Sequence, residues 1–194
     1  MSGRGTLFLI TGPSGSGKDS LINWLRPHFE RDSAMMFVRR VITRTDGGNE
    51  DHDTMTEHEF VRARAANAFC VTWEAHGLQY GIPTPVLAHT QKGGHAMMNG
   101  SRRALTSIAS VFPQLHVINL DVAPEVLVER LSARGRESAE EISTRLARSA
   151  GVFPTGIVVT HIDNSGPLHH AGRSTLDVIA ARIALNDPST VGGG

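Results

Sequence analysis

"GPSGSGKDS", Gly12 to Ser20, meets the pattern G-x-x-x-x-G-K-[ST] at Gly12, Gly17 and Lys18, with Asp19 standing where a hydroxyl residue is usual. Before it, "TLFLIT" (Thr6 to Thr11) supplies the apolar β-formers of a strand. After it, Leu21, Ile22, Leu25 and Phe29 recur at helical spacing. Strand, glycine loop and helix in this order make an anion cradle. The loop Gly12, Pro13, Ser14, Gly15, Ser16 and Gly17 wraps closely around phosphates, its amides point inward, and the helix adds the positive end of its dipole. Lys18 then bridges the terminal phosphates of ATP. A chance glycine turn beside a surface lysine would not need a strand before it and a helix after it.

Outward from this loop, 194 residues suffice for one sizeable core. Nineteen basic residues balance nineteen acidic ones, so no broad positive field points to nucleic acid or an anionic membrane, and an anion site has to be built locally. The single cysteine, Cys70, has no internal disulfide partner, and "AFCVTW" around it reads as a half-buried strand with a core thiol. "TLFLIT" is too short for a signal core or a membrane span. A cytoplasmic protein is expected.

Further strands are read at 36–42, 68–73, 95–99, 115–122 and 156–162. Capping boxes at Thr56-x-x-Glu59 and Ser138-x-x-Glu141 open helices at about 57–67 and 139–149. Alternating strands and helices imply a parallel sheet covered on both faces, with ligands at the carboxyl ends of its strands. The tail 187–194 reads as disordered by composition.

Residues 129–149, "ERLSARGRESAEEISTRLARS", carry Arg130, Arg134, Arg136, Arg145 and Arg148, with Gly135 marking a joint between two helices. Phosphoryl transfer depends on positioning and on neutralising charge in the transition state. Arg134, Arg136 and Arg145 flank the joint and are read as catalytic cations beside Lys18, with Arg130 near the nucleotide. Arg148 is read as an exposed helix charge.

With these motifs in place the chain resembles the guanylate-kinase-type phosphotransferases and, more closely, the ribose 1,5-bisphosphate phosphokinases of phosphonate metabolism. The likeness runs from "GPSGSGKDS" through "VITRT", "EDH", "WEAHGLQYGIP", "NGSR", "RLSARGRES" and "RL" to "IDNSG". It implies an α/β fold, a three-layer P-loop core with a parallel sheet. On that reading residues 1–186 form one kinase domain, with a substrate-binding insertion at about 40–95 and a lid at about 132–148.

The chain departs from guanylate kinases in ways that bear on the acceptor. Asp19 replaces the loop hydroxyl, no second arginine follows "TR", and Asn99 stands where a guanine-reading aspartate is expected. Phosphate contacts are kept while base contacts are lost, so a phosphorylated sugar is expected in place of GMP. Asp19 is read as a ligand of Mg²⁺, with Ser20 as the alternative, and a plain helix-start charge is the competing reading.

Arg44 and Arg102 are the preferred acceptor-phosphate contacts, since guanidinium forks match phosphate oxygens. Arg40, Ser101 and Arg103 join them as candidates, with surface charge as the alternative reading for Arg39, Arg40 and Arg103. Alternation leaves at most one of Arg39 and Arg40 facing the site. Glu50, Asp51, His52 and Asp53 either hold sugar hydroxyls, magnesium or an arginine, or form a solvated loop. Tyr80 suits a substrate wall, Trp73 is read as core, and His76 has two readings. "HIDNSG" (161–166) is where related kinases place adenine, so Asn164 is either a base contact or part of an ordinary turn.

The resemblance therefore implies an ATP-dependent kinase that phosphorylates ribose 1,5-bisphosphate to 5-phosphoribosyl 1-diphosphate, with ATP, Mg²⁺ and a sugar phosphate as its partners. A nucleoside monophosphate kinase and a binding module without catalysis are the rival readings. Oligomeric state stays open, a homodimer included.

Overall fold

A computed structural model describes residues 4–44, 52–133 and 153–186. Its first strand, β1 (Leu7–Thr11), is buried at all five positions. A run apolar on both faces belongs in the middle of a parallel sheet. It lies there, in the order β2 (Met35–Phe37), β7 (His95–Asn99), β1, β8 (Leu115–Asp121), β9 (Val158–Asp163), every neighbour parallel.

Alternation along these strands sorts the core into two layers. Leu7, Leu9, Ala96, Met98 and Val117 pack on one side against Leu105 and Ile108 of helix α4 (Leu105–Val111). Phe8, Ile10, Met97, Ile118 and Leu120 pack on the other. There they meet Leu21, Ile22 and Leu25 of α1 (Lys18–Leu25), and Ala171 and Ile179 of α6 (Leu168–Asn186). The expected covered parallel sheet is present.

The run expected as one strand at 36–42 is two. Met35–Phe37 follows β7 in the central sheet, and Val38 N–H still donates to Met97 O at 2.8 Å. The chain then leaves, and β3 (Arg40–Thr43) joins a second sheet in the order β4 (His52–Met55), β3, β6 (Leu78–Pro83), β5 (Phe69–Ala75). Arg39 anchors the change of sheet by donating to the Asp53 carboxylate at 2.8 Å and to His52 O at 2.9 Å on β4.

Helix α2 (Glu57–Ala65) opens on the expected capping box. Glu59 N–H donates to Thr56 Oγ1, and the Glu59 carboxylate accepts from Thr56 N–H. Strands β5 and β6 form a hairpin turned by His76 and Gly77, both at positive φ (54° and 71°), a conformation whose twist matches that of the flanking strands. His76 is thus a turn residue. Trp73 is buried as expected, its ring stacked on Tyr80 at 5.2 Å. Cys70 donates to Ile82 O, and burial raises the pKa of its thiol.

Helices α3 (Thr84–Gln91) and α5 (Pro124–Ser132) complete the described α-helices. The second capping box, the joint at Gly135, Arg134, Arg136, Arg145 and Arg148, together with Glu50, Asp51 and the 187–194 tail, lie outside the described residues.

One buried histidine ties stability to pH. His95 Nδ1 accepts Thr6 N–H at 3.0 Å, so the folded ring is neutral, and burial lowers its pKa from the ordinary 6.5, opposed by Asp32 and aided by His89. Folded-state depression means that the unfolded chain binds the proton first. Stability is therefore full above pH 6.5 and is lost as pH falls toward the depressed folded value. The melting temperature is expected to drop on acidification below that point. His95→Asn, which keeps an acceptor for Thr6 N–H, should flatten part of that slope.

Candidate active site

The site lies at the carboxyl end of the central sheet, where β1 runs into the glycine loop. Gly12, Gly15 and Gly17 take φ of 147°, 82° and 87°, which side chains disfavour. At Gly17 a Cβ would also stand 2.7 Å from Asn164 Nδ2. Lys18, the first residue of α1, reaches back over the loop, its ammonium donating to Gly12 O at 3.1 Å and Pro13 O at 2.9 Å.

Asn164, just beyond β9, is 2% exposed and braces the loop from beneath. Its Nδ2 donates to Ser16 O at 2.7 Å, and its backbone N–H donates to Asp121 O at 2.8 Å. Neither expected reading named this contact with the loop, although a local turn is present beside it, with Ser165 N–H donating to Asp163 Oδ1 at 3.0 Å. Asn164→Ala leaves the buried Ser16 carbonyl without its partner, which costs about 1–3 kcal/mol. Thermal denaturation should show that loss, and the rise in melting temperature produced by added ADP should shrink.

Asp19 is half-buried in the first turn of α1, whereas the Ser20 side chain is exposed. The Asp19 carboxylate accepts from Asn99 Nδ2 at 2.7 Å. Asn99 ends β7, and its carbonyl is 3.5 Å from Arg40 Nη1. Arg40, expected either at the acceptor or at the surface, lies between the two sheets with its guanidinium 5.6 Å from the Tyr80 ring centre, while Arg39 faces out to Asp53. Of the adjacent pair one faces inward, as alternation requires.

Arg44 directly follows β3 and is half-exposed. His52, 5% exposed, begins the edge strand β4 of the small sheet. Asp53 of the acidic cluster holds an arginine, the third of its expected uses. Ser101 caps the short turn at Arg102–Ala104 by accepting from Arg103 N–H at 3.3 Å, and Arg103 is exposed.

A polar group missed by sequence reasoning orients Arg102. Asn119, fully buried in β8, accepts from Arg102 Nη2 at 3.0 Å and from Thr11 Oγ1 at 3.1 Å, and donates to Asp121 at 2.6 Å. His161 Nδ1 donates to the other Asp121 oxygen at 2.7 Å. Phe153 lies 4.9 Å beneath the Arg102 guanidinium. The signal was available: an asparagine inside an otherwise apolar strand is a buried polar group that requires partners.

No family model matches the sequence. Ribose 1,5-bisphosphate phosphokinase PhnN of Agrobacterium fabrum is 41% identical over 183 residues, covering 94% of this chain and all of that protein. The chain belongs to the ribose 1,5-bisphosphate phosphokinase family. Among other relatives, the protein of the same name from Rhizobium etli is 42% identical over 93% of this chain and 92% of its own. A bifunctional ribose 1,5-bisphosphokinase-thymidine phosphorylase of Cupriavidus pinatubonensis is 39% identical over 99% of this chain, which spans 31% of that longer protein. The fold is shared with guanylate kinase from Anaplasma phagocytophilum, with a TM-score of 0.62 at 15% identity over 95% of this chain and 88% of that one. Among the described residues of this ribose 1,5-bisphosphate phosphokinase family member, no helix is long and apolar enough to cross a membrane.

The donor set suits magnesium. Asp19 offers a hard carboxylate whose second oxygen has no side-chain partner among the described residues, and Ser20 offers an accessible hydroxyl one residue on. No ready cluster of three acidic, histidine or cysteine groups exists among the described residues. Magnesium seldom needs one, because it keeps several waters and shares one or two protein ligands with substrate phosphates.

Proposed function

We infer that this chain is an ATP-dependent kinase that converts ribose 1,5-bisphosphate and ATP to 5-phosphoribosyl 1-diphosphate and ADP. The observation that carries this reading is the end-to-end likeness to relatives bearing that name. The cleft is compatible with it. Arg40, Arg44 and Arg102 supply cations for a doubly phosphorylated acceptor, and Asn99, where a base-reading acid would stand, spends its amide on Asp19.

Lys18 exchanges the loop carbonyls for the terminal phosphate oxygens of the donor. The loop amides hold the inner phosphates, and Asn164 keeps the loop in shape. Arg102, oriented by Asn119, holds an acceptor phosphate, and Tyr80 on Trp73 walls the sugar. An oxygen of the C1 phosphate forms the new P–O bond as the bond from the γ-phosphorus to the ADP oxygen breaks. That acceptor oxygen is already ionised, so no general base is required. Mg²⁺, held by Asp19 or Ser20, would neutralise phosphate charge. The lid arginines Arg134, Arg136 and Arg145, with Arg130, are proposed to close on the moving phosphoryl group.

The test is a coupled ADP-release assay of the purified protein offered ribose 1,5-bisphosphate, GMP, AMP and no acceptor. Turnover on the sugar bisphosphate alone is expected. Preference for GMP or AMP would make the protein a nucleoside monophosphate kinase, and silence on all three would make it a binding module.

A further inference from the structure

We propose that Asn99 is the positioning residue for Asp19, and that this pair carries in reversed places the magnesium-holding roles of other phosphate-loop enzymes. The proposal rests on the kinase reading above. In phosphate-loop NTPases the loop contributes a neutral serine or threonine and a strand contributes an aspartate. Here the loop contributes the acid, and the strand beside β1 contributes a neutral amide.

The geometry makes the two substitutions one unit. Asn99 pairs in register with Ile10, and Gly100 N–H donates to Ile10 O at 2.9 Å, so the end of β7 is fixed against the strand that launches the loop. From there Asn99 Nδ2 reaches Asp19 Oδ1 at 2.7 Å. A carboxylate only accepts, so the amide has to present its N–H side, which turns Asn99 Oδ1 inward. That oxygen is buried and has no partner among the described residues.

Charge explains why the exchange is a pair. An aspartate at both positions would set two like charges at hydrogen-bonding distance, where each repels the other. With asparagine on the strand, the site keeps one negative charge beside the polyphosphate. The amide fixes one Asp19 oxygen and leaves the other directed to a cation. Holding a metal-binding carboxylate by a hydrogen bond from behind is a recurrent way of orienting it, and removing such a partner costs roughly 10- to 100-fold in metal affinity.

The experiment follows Mn²⁺ in place of Mg²⁺ by electron paramagnetic resonance, titrating enzyme with ADP and no acceptor, and comparing each variant with wild type. Asn99→Ala is expected to weaken the enzyme-bound Mn²⁺ signal by about 10- to 100-fold. Asn99→Ser, a donor on a shorter arm, should weaken it less and serves if the alanine variant does not fold. Asp19→Ser should largely abolish the enzyme-bound signal, and Asp19→Ser combined with Asn99→Asp should restore it to within about tenfold of wild type. A double variant no tighter than Asp19→Ser, or unchanged affinity in Asn99→Ala and Asn99→Ser, overturns the proposal. No sugar phosphate is present in this titration, so failure of the acceptor assay counts against the reaction assigned above and leaves this result standing.

Discussion

Lys18→Ala is expected to lower kcat for ATP turnover by about 10²- to 10³-fold, the usual loss when one preorganised donor to developing charge is removed. Lys18 opens α1 immediately after a loop held in left-handed conformations at Gly15 and Gly17, and its ammonium already lies over that loop at Gly12 O and Pro13 O. Those two hydrogen bonds tie a half-buried side chain to backbone oxygens, so their loss should leave the fold largely intact. Steady-state ADP release with a parallel melting curve separates the cases. A drop in kcat at nearly unchanged melting temperature is the expected pattern, whereas turnover within tenfold of wild type would remove Lys18 from the chemistry.

The second large effect is expected at Arg102. Its guanidinium is gripped by Asn119, which is itself tied to Thr11 and Asp121, and is backed by Phe153. Such a side chain has lost its rotamer freedom before substrate arrives, so the proposed phosphate contact would be made at little further entropic cost. Arg102→Ala should raise KM for ribose 1,5-bisphosphate by about 10²-fold, as truncating one member of a desolvated charge pair does. KM for ATP should change little. Arg102→Lys should recover only part of the loss, since one ammonium does not present two parallel N–H bonds to phosphate while holding Asn119. Equal rises in both KM values would place Arg102 at the donor phosphates.

What could be read from the sequence follows from how local each feature is. The strand, glycine loop and helix of residues 6–25 were legible because every cue lies within twenty positions, and so was the parallel core, whose strands are short apolar runs. The division of 35–43 between two sheets was not, because "MFVRRVI" is uniformly β-forming and only distant partners, Met97 on one side and Asp53 on the other, make the chain leave one sheet for another. Strand β4 was missed for a related reason. "HDTM" has no apolar pattern and is held by pairing with β3.

The site shows the same division. Lys18, Asp19 and Arg102 announced themselves by motif, whereas the roles of Asn119, Arg40 and Asn164 depend on contacts spanning 17, 59 and 148 positions. Arg40 was open to two readings, acceptor contact and surface charge, because strand alternation states that one of two neighbours turns inward without saying which. The pairing of Arg39 with Asp53 across β3 and β4 decides it.

The hydrogen bond from Asn186 Nδ2 to Thr6 Oγ1, at 2.7 Å, fastens the close of α6 to the threshold of β1. Both lie at the amino-terminal rim of the central sheet, a full strand length from the glycine loop. This one bond latches the last turn of the long helix to the base of the central strand, so the bottom of the sheet is tied down at the side opposite the glycine loop.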